Sequence, residues 1–309
     1  MTEAALRDAP VWINAASGII RRLPAGRYRA MNAVARWAGG PFWARLPREL
    51  GRLEFRCDLR DALMREACLT GRYEPQETAI LQHLLRPGMT FVDVGANWGY
   101  FTLVGAHLVG AAGRVIAVEA DPRACRTVQA NLDRNAHPQV VLHNVAAADA
   151  AGTLTLHEYE PRAGESGNFG VSRASNPAGG RTFEIAACRL DDLLDDDRVR
   201  RIDLLKMDIE GGEASALVGL DRRLSDRRID RVLLEIHPRQ LRQLGSSVED
   251  VIDHLRRRGF TGWSIDHSRA AHTRASSGRL DPHALLAPLG DGPTGDWPHV
   301  LWLREGLTL

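Results

Sequence analysis

Eight residues of the run LLKMDIEGGE carry one ammonium and three carboxylates: Lys206, Asp208, Glu210 and Glu213. A second run, VLLEIHP, adds Glu235 and His237. Acids and an imidazole at this spacing suit a reaction in which an acceptor group is aligned and relieved of a proton. His237 is the first candidate for the base, because an imidazole with an intrinsic pKa near ~6.5 exchanges protons around neutrality. If Val232–Ile236 is a strand, Glu235 and His237 share one face, and Pro238 keeps His237 extended. Asp208 and Glu210 read as residues that hold the acceptor. The alternative is that they bind a divalent cation, which is not favoured. Glu213 reads as a first-turn acid capping the next helix. Lys206 is the only lysine beside 39 arginines. Two residues along a strand return to the same face, so Lys206 and Asp208 point the same way. A compact ammonium with a movable pKa differs from a guanidinium. The expected role is a buried partner for Asp208 or Glu235, and the sharper alternative is a base competing with His237.

A second constellation is FVDVGANWGYF, in which a strand runs into a glycine turn that opens a helix. Backbone amides and the helix dipole at such a junction hold the negative end of a ligand. A GxGxxG dinucleotide loop starting at Gly95 would need glycine at positions occupied by Asn97 and Tyr100. The spacing acid-x-Gly-x-Gly-x-Gly instead matches Asp93, Gly95 and Gly99, with Ala96 inside the turn and Asn97 at the third position. Asparagine tolerates positive φ there. Further on, VIAVEADP places Glu119, followed by Ala120, at the end of the next strand, where a carboxylate accepts hydrogen bonds from ribose hydroxyls.

The elements that must position these residues alternate. Helices are expected at Thr78–Leu85, Tyr100–Val109, Arg123–Arg134 and Val248–Arg257. Strands are expected at Phe91–Val94, Val115–Val118, Val140–His143, Ile202–Met207, Val232–Ile236 and Thr261–Ile265. This implies an α/β fold with a mostly parallel central sheet flanked by helices. Thr153–Glu158 and Thr182–Leu190 read as an antiparallel insertion around a Gly- and Ser-rich loop, Gly164–Arg181. In that loop, ESGNFGV has hinge glycines and Asn168, which reads as a hydrogen-bond partner of the substrate or the cofactor; the alternative is an ordinary flexible connection. The chain divides into a helical N-terminal extension (1–70) that covers substrate or packs on the core, a core (71–270) and a tail (271–309) whose Val300–Leu303 can return as an edge strand.

Composition narrows the function classes. With 309 residues, 44% hydrophobic and 26% charged, the chain is long enough for a sizeable core. A net charge of +1 argues against a dedicated nucleic-acid binder. Arg256, Arg257 and Arg258 have acids nearby and read as a solvated helix face. The four scattered cysteines lack metal-ligand spacing and read as reduced thiols. No run reaches the ~20 apolar residues of a membrane span. MTEAALRDAPVW lacks the layout of a signal peptide, so a cytoplasmic protein is expected. Gly18–Gly40 mixes arginine with Ile, Met and Trp, and reads either as a helix packed on its own domain or as an amphipathic helix on a membrane or over a substrate.

From Arg56 to Ile265 the ordered segments RCDLRD, GRYEPQE, RPGMTFVDVGANWGYFTLVGA, GRVIAVEADP, NLDRN, ESGNFG, RLDDLL, IDLLKMDIEGGE and VLLEIHP closely resemble the FkbM-type methyltransferases. The resemblance implies a Rossmann-like class I fold that uses S-adenosylmethionine (SAM), leaves S-adenosylhomocysteine (SAH), and methylates a hydroxyl of a sugar or natural product in secondary metabolism. It also implies adenine contacts from Asn144–Ala147, with Asn144 and Ala146 as candidates. Tyr73 and Glu74 would close over the cofactor. Trp98 departs from the smaller aliphatic residue usual in the family. N-methylation, an NAD(P)-dependent oxidoreductase and a SAM binder without turnover are the competing readings. A homo-oligomer is compatible with all of them.

Overall fold

Short apolar runs separated by amphipathic segments fold as their periods require. The computed structural model describes residues 6–23, 26–158, 172–173, 182–276, 281–290, 292, 295 and 297–308. Helices α1 (Val11–Ile20) and α2 (Arg27–Ala35) precede a hairpin of β1 (Phe42–Arg45) and β2 (Glu54–Cys57). Helix α3 (Ala62–Thr70) follows, its Asp61 cap accepting from the amides of Leu63 and Met64. Helix α4 (Pro75–Leu84) leads into β3 (Thr90–Val94), α5 (Tyr100–Val109), β4 (Arg114–Val118), α6 (Pro122–Asn135) and β5 (Val140–His143). Proline at the first turns of α4 and α6 costs no helical hydrogen bond there. A side sheet holds β6 (Ala146–Ala147), β7 (Gly152–Glu158), β8 (Ser172–Arg173) and β9 (Thr182–Cys188). Then come α7 (Leu190–Asp196), β10 (Leu204–Met207), α8 (Glu213–Val218), α9 (Asp221–Ser225) and β11 (Arg231–Glu235). The chain continues through α10 (Pro238–Gln243), α11 (Val248–Arg257), β12 (Phe260–Ile265), α12 (Arg269–Ser276), β13 (Leu286–Pro288) and β14 (His299–Arg304).

The central sheet has the order β13-β12-β14-β11-β10-β3-β4-β5, with β5, β4, β3, β10 and β11 parallel. The tail strand expected at an edge is interior: β14 runs antiparallel between β11 and β12, and β13 takes the edge. The reason is burial. Val300, Leu301, Trp302 and Leu303 are all covered, so the strand has no polar face to leave toward solvent. This reversed strand interrupts the all-parallel order of dinucleotide-binding sheets. The antiparallel insertion is present, β7 pairing β9 from Gly152↔Ala187 to His157↔Thr182.

Two hydrophobic layers sandwich the sheet. Phe91 and Leu204 pack with Phe55, Leu81 and Leu103 on the face covered by α4, α5 and the N-terminal elements. Val92, Val94, Leu205 and Met207 pack with Leu217, Leu255 and Trp302 on the other face. Residues of the N-terminal extension therefore share the core of the sheet. Trp302 is among the largest fully buried side chains. Trp302→Ala should cost about 3–5 kcal/mol of stability, read as a lower denaturant midpoint with an unchanged slope.

Candidate active site

The glycine loop leaves β3 under a steric requirement. Gly95 has φ +84°, and a Cβ there would stand 1.8 Å from the carbonyl oxygen of Asp208. Asn97, at φ +51°, occupies the left-handed region. Gly99, at φ +91°, opens α5. Glu119 draws this loop to the next strand. One of its oxygens accepts the Asn97 amide at 2.6 Å and the other the Asp121 amide at 2.7 Å. Each carboxylate oxygen keeps a second lone pair for a ligand hydroxyl. Burial pushes the Glu119 carboxyl up to about 7, against those backbone hydrogen bonds. Asn144 donates to the carbonyls of Glu119 and Ala120, both at 2.9 Å.

Gly95, Asn97, Glu119, Ala120, Ala146, Asp208 and Glu210 line one cleft, with Leu154 and Leu156 of β7 as its apolar wall. It encloses about 110 Å³ among the described residues.

Other residues expected at the cofactor stand behind the cleft. Asp93 is fully buried on the face toward α5, where it accepts from the Thr102 hydroxyl at 2.6 Å. Ala96 is buried and its amide donates to the Val118 carbonyl. Tyr73 meets Tyr100 edge-on at 5.6 Å, above Trp98 and Phe101. Trp98 fills this layer against Phe55 of β2 at 5.0 Å, so the N-terminal hairpin braces the loop from below. Asn168 and the rest of ESGNFGV lie outside the described residues.

The second constellation gathers at the carboxyl ends of β10 and β11. Lys206 is paired in register with Asp93 on β3, and its ammonium lies 3.5 Å from Asp208 and 4.7 Å from the centre of the Phe101 ring. Burial by itself lowers the pKa of Lys206. The charges of Asp208, Asp93, Glu74 and Glu235 outweigh it and hold the ammonium above its usual range. A cation held this firmly is a partner for acids. The geometry places the ammonium as an ion partner of Asp208.

His237 lies just past β11, at the start of α10, and is almost fully buried. Glu235 lies near the imidazole, as their shared face implies: Nε2 stands 3.5 Å from Glu235 and 3.8 Å from both Asp208 and Glu210, and Nδ1 donates to Glu213 at 2.7 Å. Glu213, expected to cap α8, makes no capping bond there; the same oxygen that holds His237 accepts the Gly211 amide at 3.0 Å. This arrangement needs a sharp turn, in which Glu210 takes φ +53° and Gly211 φ +105°. Burial pulls His237 down, but Glu213, then Asp208 and Glu210, raise it to about 9.

The carboxylates are pushed apart. Burial raises Asp208, yet Lys206, His237 and His299 bring it below its ordinary value. Burial, reinforced by Asp208 and Glu74, drives Glu235 well above its own. These opposite directions set Asp208 toward the ionised, accepting form and Glu235 toward the protonated, donating form.

Sequence reasoning missed part of this cluster. Glu77, fully buried at the start of α4, accepts from His267 at 2.7 Å and lies 3.1 Å from His299. His299 in turn stands 3.6 Å from Glu235. Glu74 adds a carboxyl at φ +40°. The available signals were the GRYEPQE segment and a histidine opening the tail strand. Among the described residues, three trios have donor atoms close enough for a cation: Asp208–Glu235–His237, Glu74–Glu235–His299 and Glu77–His267–His299. In the first, Lys206 already balances Asp208 and Glu213 already engages the imidazole.

A Rossmann-like sheet with the reversed β14 beside β11, a glycine loop after β3 and an acid after β4 defines a class I methyltransferase fold. Residues 93–261 match the methyltransferase FkbM domain, and the chain belongs to that family. It is 29% identical over 211 residues to the AMB antimetabolite synthetase AmbE of Pseudomonas aeruginosa, a match covering 57% of this chain and 10% of that protein. It is also 29% identical over 201 residues to the 31-O-demethyl-FK506 methyltransferase FkbM of Streptomyces tacrolimicus, covering 57% of this chain and 74% of that one. Methyltransferase FkbM from Methylobacillus flagellatus KT, a crystal structure, aligns at 18% identity and TM-score 0.42 over 90% of this chain and 58% of the other. SAM is the cofactor that this family and architecture take, and the loop amides with Glu119 fit its polar ends. Glu119→Gln should weaken SAH binding roughly tenfold or more, measured by calorimetry. For the unaltered protein, affinity should fall as pH drops through about 7, where Glu119 takes up a proton.

Proposed function

We propose that the chain transfers the methyl group of SAM to a hydroxyl of a sugar or natural-product acceptor. The observation that carries the reading is the Glu213–His237 pair, which leaves Nε2 facing Asp208, Glu210 and Glu235 beside the cofactor cleft. A relative whose name describes methylation of 31-O-demethyl-FK506 supports the oxygen acceptor and natural-product class.

Gly95, Asn97, Glu119, Ala120 and Ala146 would hold SAM, which would supply an electrophilic methyl on a sulfonium whose leaving group is SAH. Asp208 lines the cleft and touches Lys206, so it links the cofactor side to the acid cluster. Glu210 and Glu235 orient the acceptor hydroxyl, Glu235 as a hydrogen-bond donor. His237 takes the hydroxyl proton at Nε2, and Glu213 fixes the ring and stabilises the imidazolium. Lys206 keeps Asp208 ionised and in place.

His237→Ala should leave SAH affinity within about twofold while lowering turnover by about 10²–10⁴-fold; unchanged turnover removes the histidine from the mechanism. Because the base must be neutral, kcat/KM should climb between pH 7 and 9 and level off above about 9. Glu213→Gln should move that limb to lower pH, since Glu213 raises the histidine. Lys206→Arg forces a wider group into a fully packed position and should cost about 1–3 kcal/mol of stability together with activity. Near-normal behaviour of that variant would make the lysine accidental.

A further inference from the structure

Forty residues, from Ala9 to Arg48, contain seven arginines and no acidic residue, in a chain whose net charge is only +1. The same segment contributes five of the eight large hydrophobic side chains exposed among the described residues: Val11, Trp12, Ile19, Tyr28 and Trp37. On α1 the buried stripe is Ile13, Ser17 and Ile20, facing α3, with the Ser17 hydroxyl donating to the carbonyls of Cys68 and Leu69. The opposite stripe is equally apolar: Val11 is 85% exposed, Trp12 44% and Ile19 63%. Apart from Asn14 and Ser17 the helix carries no polar side chain, so an apolar environment suits it on both sides. Helix α2 buries only Met31, and Trp37 just beyond it is 82% exposed. Trp12 and Trp37 converge across the two helices on one open concavity with Ala33 and Val34. Around it, Arg22, Arg29 and Arg36 are exposed and have no acidic partner among the described residues. Helical spacing sets Arg29 and Arg36 next to Ala33, and Arg22 at the end of the Trp12–Ile19 stripe.

We propose that the α1–α2 face docks on an anionic lipid bilayer, with Trp12, Trp37, Val11 and Ile19 entering the headgroup boundary and the arginines meeting lipid phosphates. Tryptophan with aliphatic side chains inside a basic rim is the composition of an interfacial helix face. A second copy of the chain is disfavoured by charge. A two-fold contact lays the same patch on itself and would bring the arginines together. Single-stranded nucleic acid is disfavoured because Val11 and Ile19 offer no stacking surface. The proposal is independent of the methyl-transfer reading.

The test is flotation of the full chain with vesicles of pure phosphatidylcholine and of phosphatidylcholine mixed with phosphatidylglycerol. The chain should partition onto the mixed vesicles, stay off the neutral ones and be released by high salt. Trp12→Ser with Trp37→Ser should weaken partitioning roughly tenfold or more. The triple variant Arg22→Gln, Arg29→Gln, Arg36→Gln should do the same. Since all five side chains are exposed, SAH affinity and melting temperature should stay unchanged in both variants. Failure of the unaltered chain to bind mixed vesicles overturns the proposal, as does equal binding by either variant. It is also overturned if the chain ignores vesicles but forms a dimer in sedimentation that the tryptophan variant dissociates, which would make the face a self-contact.

Discussion

A single buried ammonium organises the centre of this molecule. Lys206 stands beside Asp93 across the β3–β10 ladder, touches Asp208 one pleat further on, and rests over Phe101. A charge taken out of water needs compensation in place, and four carboxyls supply more than the lysine requires. Burial, reinforced by the neighbouring carboxyls, raises Glu235, Glu74 and Asp93 toward their neutral forms, while Lys206 and His237 bring Asp208 below its ordinary value. The site thereby acquires both a hydrogen-bond donor and an acceptor from chemically similar side chains.

Two tight turns make that charge arrangement possible. The chain after β3 and the chain after β10 cross so closely that Gly95 packs on the Asp208 carbonyl, and any side chain at 95 would collide with it. After β10, left-handed Glu210 and Gly211 reverse the backbone so that Glu213 reaches back to His237. Cofactor cleft and acid cluster are thus two sides of one crossing, with Asp208 belonging to both.

The N-terminal elements serve this centre from below and present a different surface outward. Phe55 and Trp98 close the layer under the glycine loop, and Asn131 of α6 ties both together, accepting the Arg56 amide and donating to the Trp98 carbonyl. A large residue at 98 is accommodated because the hairpin of β1 and β2 provides an aromatic wall. The outer side of α1 and α2 contributes nothing to that packing, so its tryptophans and arginines answer to something outside the fold.

Much of this was legible from local pattern. The alternation of short apolar runs and amphipathic segments located the parallel strands, because a strand buried on both faces needs apolar residues at every position. Period two put Lys206 and Asp208 on one face, and asparagine's tolerance of positive φ made Asn97 readable as a turn residue. Partners separated by long stretches of chain were not legible. Glu213 rather than Glu235 orients His237 because a reversed turn carries it there. Glu77 and His299 join the cluster because α4 and an interior antiparallel strand both begin beside it. Residue types and spacing determined which chemistry the chain carries. The tertiary structure decided which acid faces which base, since contact across 24 to more than 200 residues depends on strand order and turn geometry that no local period encodes.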